Sequence, residues 1–126
     1  MDLATIRIID HRLHGLLDML VDVSLTGLAL VAWYYDLSAA AIALPFVIGL
    51  CNLVYSGFTR YALGRQHLIS FPTHLVLDAV AGVALIAGAG VLADAVPYRA
   101  SLFAMGVGIL GAVALTNPEV PSDSVS

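Results

Sequence analysis

Apolar residues fill the chain in four long blocks, and the polar residues collect between the blocks or at one end of them. No charged residue lies between Asp36 and Arg60, or between Arg99 and Glu119. Two further apolar runs open at HGLLD (14–18) and HLVLD (74–78) and stop near Asp36 and Asp94. A bilayer core needs about 20 consecutive apolar residues per spanning helix. The pattern therefore predicts four transmembrane helices, over 12–34, 38–59, 72–93 and 98–116. Ser70 and Pro72 fit the start of the third, as a cap and a first-turn proline. The segment NPEVPSDSVS, 117–126, carries two prolines and small polar residues and reads as a disordered tail. One transmembrane domain, 1–116, accounts for the rest.

Composition agrees with the pattern. Of 126 residues, 60% are hydrophobic and 11% charged, with a mean hydropathy of +0.96; a soluble domain carries about 25% charge. The net charge of −4, with arginine as the sole strong base, offers no basic patch for nucleic acid. The lone Cys51 excludes a disulfide, iron–sulfur or structural zinc framework within one chain. It reads as a small apolar filler. A cleaved signal peptide fits the first run poorly, because the run contains Asp18 and Asp22 and lacks a small-residue cleavage site before Trp33.

Charge also orients the spans. Arg7 and Arg12 precede the first, Arg60 and Arg65 join the second to the third, and only Arg99 falls on the other side. The positive-inside rule then predicts a multi-pass protein of the cytoplasmic membrane with both termini in the cytoplasm. Trp33, Tyr34, Tyr35 and Tyr98 would form the outer aromatic belt, and Phe58, Tyr61 and Phe71 the inner one.

An internal repeat follows from the motifs. An offset of 60 pairs His14 with His74 and Asp18 with Asp78, and also Val23 with Val83, Leu25 with Leu85 and Ala29 with Ala89. It continues through Ala40 with Ala100, Val47 with Val107 and Leu50 with Leu110. The histidine and aspartate matches are the informative ones, since both residues are rare here. The expected architecture is two helical hairpins, 8–59 and 68–116, as parallel repeats about an axis along the membrane normal.

Residues four apart share a helix face, so His14 and Asp18 point the same way, on a stripe with His11, Asp22 and Thr26. A buried Asp costs about 2.5 to 3.5 kcal/mol at the bilayer centre and should face protein or water. Alternating helix direction brings Asn52, Tyr55, Ser56, Thr59 and Arg60 of the second span, and Thr116 of the fourth, to the same depth. The expectation is one polar cluster on the cytoplasmic side, with the first and third spans adjacent. Its first reading is structural: hydrogen bonds that fix helix register. Small residues, Ala84 and Gly88 in the third span and Ala104, Gly108 and Ala112 in the fourth, would give the close-packing faces.

Two chemical alternatives accompany it. His14, Asp18, His74 and Asp78 form a nitrogen–oxygen ligand set suited to zinc, manganese or iron, or His14 and His74 could be axial ligands to a haem. Proton or ion translocation through Asp18, Asp22 and Asp78 is the other. Cys51 and Asn52 are adjacent in sequence and diverge around a helix, so no catalytic residues are assigned.

The motifs HGLLD and HLVLD, with VAW at 31–33 closing the first span, resemble the small SPW-repeat membrane proteins of bacteria and archaea. Ala32 stands where that pattern has proline, and LAD at 92–94 has no tryptophan. The resemblance implies tandem two-helix hairpins up to residue 116 and no particular activity. The whole sequence reads as a small structural or accessory membrane component, embedded in lipid and associating with itself or with a larger complex.

Overall fold

A computed structural model describes residues 3–59 and 68–121. One short turn, α1 (Leu3–Ile6), precedes four long helices: α2 (His11–Tyr34), α3 (Ala39–Gly57), α4 (Phe71–Val91) and α5 (Val96–Leu115). All four are long and apolar enough to cross a membrane. Their bounds fall within about two residues of those the apolar runs predict.

Local chemistry starts and stops each helix. The side chains of Asp10, Ser38 and Ser70 accept hydrogen bonds from the amides of Leu13, Ala41 and Thr73, filling orphan first-turn donors. At the end of α2, Asp36 takes a left-handed φ of 54°. The Asp36 amide donates to the Trp33 carbonyl and the Leu37 amide to Ala32, which closes the helix in a Schellman turn. Asp tolerates that backbone better than most side chains. Within α3, Pro45 has no N–H to give the Ala41 carbonyl four residues back. The Tyr98 hydroxyl donates to that oxygen instead, at 2.6 Å. Tyr98 is therefore a core residue, 6% exposed, and not part of an aromatic belt. Trp33, Tyr34 and Tyr35 do lie on the outside.

The helices pack as two hairpins, α2 with α3 and α4 with α5, which meet through α3 against α4 and α2 against α5. The first and third spans are thus not side-by-side neighbours. They stand opposite each other, joined across the bundle by His14 to Asp78 and His74 to Asp18. Within hairpins the contact is through small residues, as expected where lipid removes the hydrophobic drive between helices. A Cβ on Gly106 would sit 2.6 Å from the Gly82 carbonyl oxygen, and one on Gly49 would touch Leu25 Cβ at 3.3 Å. Gly88 packs under Leu44, while Ala84 and Ala112 are half-buried. Ala104 and Gly108, expected at a close interface, face outward; nothing lies within 4 Å of a Cβ built on Gly108. A helix apolar all round offers no polar stripe to set its phase, which is why the sequence placed this contact one face away.

The buried positions of α2 and α4 are related by 60 residues: His11 and Phe71, His14 and His74, Asp18 and Asp78, Leu25 and Leu85, Ala29 and Ala89. Those of α3 and α5 are related by 57: Ala41 and Tyr98, Pro45 and Leu102, Gly49 and Gly106, Asn52 and Ile109. The three-residue difference arises because α4 ends at Val91, short of the counterpart of Tyr34. The offset-60 matches of Ala40, Val47 and Leu50 with Ala100, Val107 and Leu110 therefore fall on exposed or half-buried positions.

The chain entering α2 pairs with the chain leaving α5, through a parallel bridge of Ile9 to Thr116. The chain entering α4 pairs likewise with that leaving α3, Ile69 to Thr59. The expected tail is accordingly held at its start: the Asn117 amide donates to the Ile9 carbonyl at 2.8 Å, and Val120 packs on Phe71 and Leu75.

Candidate functional site

The two bridges set the geometry of a polar cluster at the end of the bundle where α2 and α4 begin. Each bridge ends in a threonine, and each threonine holds a histidine of the other hairpin. Thr116 Oγ1 lies 2.9 Å from His14 Nδ1 and donates its own proton to the Ala112 carbonyl. Thr59 Oγ1 lies 2.8 Å from His74 Nδ1 and donates to the Tyr55 carbonyl. A hydroxyl has one proton to give, so both threonine oxygens accept from Nδ1–H. That places a proton on each Nδ1 and aims both Nε2 atoms inward.

Both Nε2 atoms face both carboxylates. His14 Nε2 lies 2.8 Å from Asp78 Oδ2 and 3.4 Å from Asp18 Oδ1. His74 Nε2 lies 3.0 Å from Asp18 Oδ2 and 3.2 Å from Asp78 Oδ2. One ligand-capable atom from each of the four residues fits within 4.8 Å of the others, and all four residues are buried. Helical spacing supplies the within-motif contacts, and the side chains of α2 and α4 reaching toward each other across the bundle supply the others. The Tyr55 hydroxyl donates to Asp78 Oδ1 at 2.6 Å. Phe71 closes the cluster, edge-on to His14 with ring centroids 5.3 Å apart. Expected at the membrane interface, it is 2% exposed.

A turn deeper, Asn52 Nδ2 donates to Asp22 Oδ1 at 2.8 Å. Asn52 Oδ1 and Ser56 Oγ are buried without hydrogen-bond partners among the described residues. A cavity of about 20 Å³ opens here, and His14, Asp18, Asn52, Tyr55 and Asp78 contribute its polar wall. That is room for about one water. Beyond it the bundle turns apolar: Leu25, Leu85 and Leu102 are fully buried along the interior.

The four motif residues thus converge, with Asp22, Asn52, Tyr55, Ser56 and Thr116 around them. His11 is buried at the same end, Thr26 lies outside the stripe on an exposed face, and Arg60, Arg65 and Tyr61 fall outside the described residues. The pairing of Thr59 with His74 is what spacing missed. Thr59 and Thr116 are 57 apart, so a repeat sought at a single offset of 60 does not align them.

Haem does not fit between the histidines. Their rings meet edge-to-face at 5.5 Å, and both Nε2 atoms point at the same carboxylates instead of at opposite faces of a flat macrocycle. Cys51 lies on the exposed face of α3 and takes no part. Comparison with family models, curated proteins and solved structures finds no match to this chain.

Proposed function

We propose that the chain is a small multi-pass protein of the cytoplasmic membrane, with both termini cytoplasmic, that acts as a structural or accessory component. The reading rests on one observation: His14 and Thr116, and His74 and Thr59, each join one hairpin to the other, with Asp18 and Asp78 shared between them. The polar groups are spent on joining helices, and the cavity beside them is too small for an organic substrate. The apolar plug of Leu25, Leu85 and Leu102 speaks against an ion path along one bundle. Duplication of a hairpin accounts for the paired buried positions at offsets of 60 and 57 and for the two equivalent bridges.

The test is to express residues 1–59 and 68–126 as separate chains in one membrane. The hairpins should co-purify in mild detergent, and His14→Ala with His74→Ala should separate them. Co-purification undiminished by that pair of substitutions would remove the cluster from its joining role. Single cysteines placed at residues 2 and 94 in a Cys51→Ala chain should label from opposite sides of sealed vesicles.

A further inference from the structure

We infer that His14, Asp18, His74 and Asp78 hold one divalent transition-metal ion through two imidazole nitrogens and two carboxylate oxygens. This goes beyond the joining role and does not depend on the orientation of the chain in the membrane.

The threonines carry the argument. With Nδ1–H committed to Thr116 and Thr59, a neutral His14 or His74 turns a bare Nε2 lone pair toward carboxylate oxygens. Lone pairs do not rest against carboxylates 2.8–3.4 Å away without positive charge between them. Metal-bound histidines recurrently donate their other N–H to an oxygen, which fixes ring and tautomer for the ion. Here that arrangement occurs twice, on separate helices, with each threonine itself anchored to a backbone carbonyl.

Spacing agrees. Bonds of about 2.0 to 2.2 Å to nitrogen and oxygen put tetrahedral ligand atoms roughly 3.3 to 3.5 Å apart. The four histidine–carboxylate distances run from 2.8 to 3.4 Å, those to Asp18 falling on its two different oxygens, and one donor atom from each of the four residues lies within 4.8 Å of the rest, so the ligands reach a common centre with side-chain shifts of about an ångström. Two imidazoles suit zinc, iron or manganese over magnesium and calcium, which take all-oxygen sets.

A second feature points to the same place. Asn52 is 3% exposed, its Oδ1 has no partner among the described residues, and it lines the cavity with His14, Asp18 and Asp78. A water in that cavity could lie on the ion and donate a proton to Asn52 Oδ1. The site then has the form of a metal centre with one exchangeable position, walled by Tyr55 and closed by Phe71.

The full chain, carrying an affinity tag free of histidine, would be purified in mild detergent, stripped with chelator and titrated with Zn²⁺ or Mn²⁺ by calorimetry. Co²⁺ loading would be followed by its visible absorption. One ion per chain is expected, with cobalt bands of a low-coordinate nitrogen–oxygen site. Asp78→Asn and His14→Ala should abolish stoichiometric binding. Because those substitutions also strike the packing, Thr59→Val with Thr116→Val gives the sharper reading. It leaves the four ligands in place and should weaken binding about 10- to 100-fold while helical content and elution volume hold. Folded wild-type protein that takes up no ion, binding unchanged by His14→Ala, or a folded threonine variant with full affinity would each overturn the assignment. The first of these would leave two imidazolium–carboxylate pairs in the ion's place.

Discussion

At the end where α2 and α4 begin, polar side chains bind one another: His14 and His74 share Asp18 and Asp78, and Tyr55 joins them. At the opposite end they bind backbone and loops. The Tyr98 hydroxyl takes the Ala41 carbonyl freed by Pro45, the Arg99 guanidinium donates to the Ala89 carbonyl near the end of α4, and Ser38 donates to Asp94. The second arrangement is a set of separate repairs, each filling a helix terminus or a proline gap. The first is a network in which each group needs the others, because a charge left unpaired in so buried a site is poorly solvated. Loss of one member should therefore spread at the motif end and stay local at the other.

The sharpest way to break that contrast is Asp78→Ala. It removes the carboxylate that His14 and His74 both face and the acceptor of Tyr55, and should cost about 3 to 5 kcal/mol, read from denaturant unfolding in detergent. A cost no larger than that of a single loop contact would mean the cluster is not cooperative. Between the two ends, Gly106→Ala pushes a methyl against the Gly82 carbonyl and should cost about 1 to 3 kcal/mol. Gly108→Ala, into open space, should stay within about 0.5 kcal/mol. Equal effects at the two glycines would refute the Gly82–Gly106 contact.

At the opposite end, the loop clasp should show a small and local effect. Ser38→Ala loses the cap of α3 and should cost about 1 kcal/mol. Hydrogen bonds from the Ser38 amide, and then from its hydroxyl, hold the Asp94 carboxyl below its usual 3.8. A carboxyl depressed in the folded state contributes stability above its ordinary pKa, and loses it as pH falls through the folded value. Unfolding followed between pH 6 and 2 should show an acid limb that Asp94→Asn flattens; an unchanged limb would place the acid sensitivity elsewhere.

The helices were legible because a charge-free apolar run of this length, placed in lipid, can satisfy its backbone within the segment only by coiling into a helix. The convergence of His14, Asp18, His74 and Asp78 was legible too, since rare polar residues at a fixed spacing within apolar runs must find partners. Other features were hidden for particular reasons. Phe71 and Tyr98 look like interfacial aromatics by position, and only their contacts with His14 and with the Pro45 gap take them inside. Thr59 and Thr116 were legible at the depth of the cluster, but their equivalence was hidden by the three-residue difference between the hairpins. Gly106 meets Gly82 from a face of α5 that carries no polar mark.

The Ile9–Thr116 and Thr59–Ile69 bridges have one more consequence. Residue 9 lies beside residue 116 in the same way that residue 69 lies beside residue 59. Among the described residues, the entry of each hairpin therefore lies beside the exit of the other. The threonines that end these bridges are the ones that aim the two histidines inward, so the chain crossings and the polar cluster are one construction.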